Sequence, residues 1–173
     1  MTFRKATVCD LDCIAKIYAE IHDEEEAGRA TIGWVRSIYP TRQTAEESIH
    51  KGDMFVEEDD GRIVAAAKIN REQVAEYANA AWSVDAPDDR VMVLHTLVVS
   101  PKESGRGLGT AFVRFYEDYA RAHNCPFLRM DTNEKNRVAR ALYQRLGYRE
   151  ADIVSSFFNG IAGVQLVCLE KTL

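Results

Sequence analysis

The sequence predicts a mixed α/β fold, a sheet flanked by helices, on three observations. Segments patterned as strands alternate with segments of helical period along 173 residues. A β-branched apolar run, R-V-M-V-L-H-T-L-V-V-S from Arg90 to Ser100, passes through a glycine-rich turn directly into an amphipathic helix. A further strand, turn and helix follow between Leu128 and Tyr148. No internal repeat, low-complexity tract or linker divides the chain, so one domain over residues 1–173 is expected.

An opening strand and helix span Phe3 to Ile21; Asp10 is placed to cap a helix whose apolar residues Leu11, Ile14, Ile17, Tyr18 and Ile21 recur at helical spacing. Thr44 with Glu47 reads as a capping box for a second helix ending at Gly52. Met54 to Glu58 and Arg62 to Asn70 flank Asp59-Asp60-Gly61 as a hairpin. The polar stretch 71–90 has room for a short helix from Glu72 to Ala80 and otherwise reads as loop. A strand over 90–100, a helix over 107–124, a strand over 127–132 and a helix over 135–146 come next. The chain closes with strands near 149–158 and 163–171, turning at Asn159-Gly160.

Composition limits the function classes. A chain of this length buries roughly two thirds of its unfolded surface, and 46% hydrophobic with 28% charged residues is a globular balance. No apolar run approaches the ~20 residues of a membrane span, and M-T-F-R-K-A-T lacks a signal-peptide core, so the cytoplasm is the expected location. A net charge of −5 argues against nucleic acid and suits a cationic substrate. Cys9, Cys13, Cys125 and Cys168 form no metal-ligand spacing and read as reduced core thiols, with no metal expected.

The loop S-G-R-G-L-G-T, Ser104 to Thr110, carries the first chemical signal. Gly105, Gly107 and Gly109 let the backbone turn tightly and aim N–H groups outward at the positive end of a helix, a cradle for a pyrophosphate. The dinucleotide pattern G-x-G-x-x-G fails because Thr110 stands where its third glycine belongs. The P-loop fails because no Lys-Ser or Lys-Thr follows the second glycine.

The pattern x-x-x-G-x-G after a strand and a Pro101-led turn resembles the acetyl-CoA loop of the GNAT N-acetyltransferase superfamily. The segment L-R-M-D-T-N-E-K-N-R-V-A-R-A-L-Y-Q-R-L-G-Y resembles the same family's N-x-x-A turn and L-Y-x-x-x-G-F/Y helix, with Asn136, Ala139, Leu142, Tyr143, Gly147 and Tyr148 in register. The resemblance implies a fold whose central strand pair is splayed by a bulge. It also implies acetyl-CoA as co-substrate, without metal, and acetyl transfer to an amine by direct attack in a ternary complex. Ser104, Gly105, Arg106, Gly107, Leu108, Gly109 and Thr110 would cradle the pyrophosphate, and the main chain of Leu97, Val98 and Val99 would meet pantetheine and the thioester. Asn136 and Arg140 would hold the cofactor arm. Ser104 departs from the usual Gln or Arg at the start of the loop, leaving Arg106 or Lys102 as substitute charges.

Two catalytic candidates follow. Asn136, Arg140 and Tyr143 lie on one face of their helix, with Val138, Leu142 and Leu146 as the opposite, buried stripe. The resemblance gives Tyr143 the role of acid toward the leaving thiolate, against plain packing; Asn136 has helix capping as its alternative. His95 is a candidate base through water, against a core histidine. His22, His50 and His123 read as solvent-facing. The acceptor region is His22 to Glu26 with Trp34, Tyr39, Tyr77 and Trp82, although four consecutive acids can equally form a solvated surface. The expectation is a small-molecule amine acceptor, with a protein or peptide acceptor or a silent acyl-CoA-binding module as alternatives, and with room for a homodimer.

Overall fold

The computed structural model describes residues 1–173. Seven strands form one sheet: β1 Thr2–Lys5, β2 Met54–Asp59, β3 Arg62–Asn70, β4 Val91–Val99, β5 Phe127–Asn133, β6 Arg149–Phe158 and β7 Ile161–Thr172. The order is β1-β2-β3-β4-β5-β7-β6, with β4 and β5 the parallel pair and every other neighbour antiparallel. The helices are α1 Leu11–Glu26, α2 Arg42–His50, α3 Leu108–Ala122 and α4 Arg137–Arg145. No helix is long and apolar enough to cross a membrane.

Three apolar clusters cover the sheet. On one face, Phe112, Val113, Tyr116 and Ala120 of α3 and Tyr143 of α4 pack on Phe55, Met92, Leu94, Leu128 and Met130. On the other, Ile14, Ile17, Tyr18 and Ile21 of α1 meet Ala45 and Ile49 of α2 over Val56, Ala66 and Val98. The third cluster, Tyr77 and Ala86 with Val91, Val93, Leu166 and Cys168, lies under the 71–90 loop. That loop is pinned by Arg129, whose guanidinium stacks 4.3 Å from the Trp82 ring and donates to the Val84 carbonyl at 3.0 Å.

Several local expectations change. Asp10 caps no N–H of α1; its carboxylate accepts from the Thr7 N–H at 2.7 Å and pairs with Arg4 at 2.8 Å, holding its pKa down near 2. The cap of α2 is Thr41, whose hydroxyl accepts from Thr44 N–H, so Thr44 is the third residue of the helix instead of its start. The helical signal at 72–80 is a 3-10 turn over Ala75–Asn79. His22 is buried, with Nε2 3.0 Å from the Pro40 carbonyl, because it lies on the α1 face that the following loop covers. Cys9 and Cys13 are exposed; only Cys125 and Cys168 are core thiols. The hairpin over 54–70 and the left-handed Asn159-Gly160 turn are as expected.

Glu57 is fully buried in β2, both carboxylate oxygens lacking a partner, and burial pushes its pKa up to about 7 from 4.5. Such a group favours folding while neutral, so its contribution is complete below about 4.5 and is lost as pH rises through about 7. Glu57→Gln is therefore expected to raise the melting temperature at pH 8.5 and to change it little at pH 5, measured by thermal denaturation at both pH values. Equal destabilisation at both would show that the carboxylate has a buried partner.

Candidate active site

The site begins where two strands part. β4 and β5 pair only from Val91↔Phe127 to Leu94↔Met130 and then diverge. On its other edge β4 carries a bulge: Lys68↔His95 is followed by Ala66↔Val98, so Thr96 and Leu97 together oppose Ala67. The extra residue inverts the side-chain alternation. Met92 and Leu94 face the α3 cluster, yet Val98 lies in the α1 cluster while Leu97 and Val99 pack toward α3. Ser100 N–H donates to Val64 carbonyl at 2.9 Å, so by alternation the N–H groups of Val99 and Leu97 point away from β3 into the gap. These are free donors of the kind that can bind pantetheine and polarise a thioester carbonyl.

The glycine loop closes one end of this gap. Gly105 and Gly107 are left-handed at φ 79° and 78°, and nothing lies within 4 Å of where a Cβ would stand on either. Gly107 is the cap residue of α3 with no side-chain bond, so the first N–H groups of the helix face open space, as an anion requires. Gly109 has a packing reason instead, since an added Cβ would sit 3.2 Å from Leu142 of α4. The Leu108 side chain is buried, leaving only its main chain to the loop. Ser104 and Gly109 line the cleft. Arg106 pairs with Asp59 at 2.7 Å and Glu103 at 2.5 Å, and Lys102 with Glu20 at 2.5 Å, so each substitute charge already has a carboxylate partner in an exposed pair.

On α4 the structure rearranges the expected face. Arg140 is held in a two-point pair with Glu150 at 2.7 and 2.8 Å and donates to the Glu134 carbonyl at 3.0 Å, and it does not line the cleft. Val138, expected in the buried stripe, is 83% exposed and lines the cleft. Spacing fixes which residues share a face, but only the approach of α4 to β4 and α3 decides which face turns inward. Asn136 caps α4 through Oδ1, accepting from Ala139 N–H at 3.1 Å, and also lines the cleft. After Gly147 the Tyr148 N–H returns to the Tyr143 carbonyl at 3.0 Å, bringing the two rings to 6.1 Å and fixing Tyr143 toward the gap. Burial, with Asp131 nearby, raises the Tyr143 phenol well above its usual value.

Asp131 is the cleft residue that sequence reading missed. It lies on β5 just beyond the last β4 pairing, and Tyr77 of the 71–90 loop donates to its Oδ2 at 2.7 Å. Burial raises its pKa to about 6; the Tyr77 bond acts downward and Glu76 upward. The available signal was an acid interrupting an apolar strand that ends at the turn before Asn136. His95 also lines the cleft, with Nε2 3.1 Å from Asn70 Oδ1; burial and Lys68 lower its pKa to about 4 from 6.5.

The 27–41 loop roofs the cleft. Glu25 accepts the N–H groups of Ile32 and Gly33 at 2.6 and 2.9 Å, and Arg36 pairs with Asp23 and Glu26 at 2.6 and 2.8 Å. Within the acidic run Glu25 thus holds the 27–41 loop, while Asp23 and Glu26 remain largely in solvent. That loop reaches across the gap: Thr31 Oγ1 donates to the Lys135 carbonyl at 3.0 Å, and a Cβ on left-handed Gly33 would lie 2.4 Å from Asn133 Nδ2. Trp34 and Tyr39 line the cleft, whereas Tyr77 and Trp82 are turned into the third cluster. The cleft measures about 1030 Å³ and extends from Ser104 to Asp131 and Phe158.

Comparison with known proteins bears on this geometry. Residues 14–148 match the model of the acetyltransferase (GNAT) family. An uncharacterised N-acetyltransferase of Methanocaldococcus jannaschii is 24% identical over 157 residues, 90% of this chain, and the chain spans 64% of that relative's length. A GNAT-family acetyltransferase of Streptococcus agalactiae superposes with a TM-score of 0.84 at 23% identity, covering 99% of this chain and 95% of that one. A protein of Salmonella typhimurium described as an acetyltransferase and solved with its cofactor acetyl-CoA superposes with a TM-score of 0.70 at 18% identity, covering 100% and 94%.

Proposed function

The chain belongs to the acetyltransferase (GNAT) family, and on that premise we propose that it transfers an acetyl group from acetyl-CoA to a primary amine on a small molecule. The observation that carries the reading is the β4–β5 gap itself, which joins the open N-terminus of α3 to a roofed pocket with Tyr143 and Asp131 on its lining. The cofactor's diphosphate meets the N–H groups of the loop and α3, and pantetheine follows the free edge of β4. The acetyl thioester supplies an activated carbonyl carbon. The amine nitrogen attacks that carbon, the carbon–sulfur bond breaks, and CoA leaves as a thiolate that takes the Tyr143 proton. Asp131 accepts the proton lost by the amine, and the two residues re-equilibrate through solvent. The 27–41 roof favours a small acceptor over a peptide, which needs an open groove.

The pH dependence follows from Asp131. A carboxyl with a pKa near 6 is neutral and inert as a base below that value and ionised above it, so kcat is expected to rise with pH through about 6 and then level. Tyr77 bonds to this carboxylate, while Glu76, Tyr39, Tyr143 and Cys168 are the other titrating groups around it. Asp131→Asn should remove the limb; His95→Ala should leave it in place, because His95 is already neutral there. A limb lost with His95 and kept with Asn at 131 would reverse the assignment. The activity is tested by calorimetry with CoA, NAD and ATP, then by thiol release across polyamines, amino acids, aminoglycosides and peptides. Binding of ATP with magnesium but not CoA would sink the reading; turnover of peptides alone would move the acceptor class.

A further inference from the structure

The bulge in β4 is built on an unfavourable residue. Thr96 sits at φ 52°, a left-handed conformation rare for any non-glycine residue and rarer for a β-branched one. A bulge of this kind can take a left-handed first residue, but ordinarily a glycine, and Ala66 and Lys68 are in ordinary register on either side. What reaches it is a residue 57 positions away. Tyr39, in the roof over the acceptor side, hydrogen-bonds through its phenol to the Thr96 hydroxyl. Tyr39 is itself fixed, by edge-to-face contact with Trp34 at 6.1 Å and by backbone pairing with Val35. Both Tyr39 and Thr96 line the cleft.

We propose that Tyr39 is a positioning residue that clamps Thr96 in its left-handed conformation and so aims the Leu97 N–H at the acetyl carbonyl, coupling the acceptor-side roof to the thioester-binding strand. The clamp rests on the acetyl-transfer reading. Its physical content is that a strained turn persists only where surroundings over-determine it; without the phenol, Thr96 can relax toward extended backbone and rotate the following peptide. The phenol makes no demand on the diphosphate end, which is held separately at Gly105 and Gly107. CoA, which has no acetyl carbonyl, should therefore be indifferent to the clamp, while acetyl-CoA should not. Glycine at 96 adopts φ > 0 without strain, so it should make the clamp unnecessary.

The test is calorimetry of four full-length chains, the unmodified protein, Tyr39→Phe, Thr96→Gly and the double variant, each with CoA and with acetyl-CoA. Infrared spectra of bound acetyl-CoA labelled with ¹³C at the carbonyl accompany it. Tyr39→Phe is expected to weaken acetyl-CoA by about five-fold, the effect of one neutral hydrogen bond, to leave CoA unchanged, and to move the bound carbonyl stretch toward its value in water. In the Thr96→Gly background the same Tyr39→Phe change should alter neither quantity. Equal losses in both backgrounds would mean that Tyr39 acts without Thr96 and would overturn the clamp, as would no loss in either. A Tyr39→Phe chain that loses CoA and acetyl-CoA alike, with a lowered melting temperature, would assign Tyr39 to folding and overturn it too. An unmodified chain that binds neither ligand overturns the acetyl-transfer reading itself, a distinct result that takes the clamp with it.

Discussion

Tyr143→Phe is expected to lower kcat by about 10²- to 10⁴-fold, the usual weight of a positioned general acid, with acetyl-CoA affinity nearly unchanged. Tyr143 is 6% exposed, and its ring packs in the α3 cluster against Tyr148, contacts that phenylalanine keeps. What is lost is one proton at the end of the gap. Burial and Asp131 raise the Tyr143 pKa, so the group stays protonated across the working pH range and carries its proton to the moment of thiolate departure. Steady-state kinetics with a good and a poor leaving-group thioester separate the roles. A large kcat loss that shrinks with the better leaving group is the signature of an acid. A drop in melting temperature with kcat intact would make Tyr143 a packing residue.

Gly107→Glu is expected to eliminate measurable CoA binding. The substitution places a carboxylate over the uncapped start of α3, where it both occupies the space left open above Gly107 and satisfies the N–H groups that the diphosphate would use. It also carries a folding cost, because residue 107 sits at φ 78°; left-handed backbone costs an ordinary residue about 1–2 kcal/mol. For a chain of this size that lowers the melting temperature by about 2–8 °C. Gly107→Asn is the matching control, since asparagine tolerates the conformation and brings no charge. Calorimetry should show CoA binding abolished by Glu and retained, though weakened, by Asn. Undiminished binding in the Glu variant would place the diphosphate elsewhere.

How much of the molecule was legible before folding depended on the range of the interactions. Strand and helix identities for nearly every element followed from periodicity and turn residues, because those are local: alternation along 90–100, the apolar spacing of α1, the Asn159-Gly160 turn. The glycine loop was legible for the same reason, its backbone conformation being set by Gly105 and Gly107 themselves. Caps were less so. Thr44 with Glu47 fits the local pattern, yet the helix begins earlier and Thr41 caps it.

What the sequence by itself determined is the β4 strand, the glycine loop and the start of α3, where we propose the cofactor binds, a contiguous stretch that needs nothing distant to be recognised. What only the tertiary structure decided is the lining of the rest of the cleft and the environment of its titrating side chains. Asp131 is an ordinary strand acid until the parting of β4 and β5 buries it beside Tyr77 and raises its pKa. His95 sits in an unremarkable strand until burial and Lys68 drive it neutral. Val138 and Arg140 exchange their expected surroundings once Glu150 captures the guanidinium. In each case the physical reason is the same: solvation and partner charge depend on residues far apart in the chain, and no local pattern carries them.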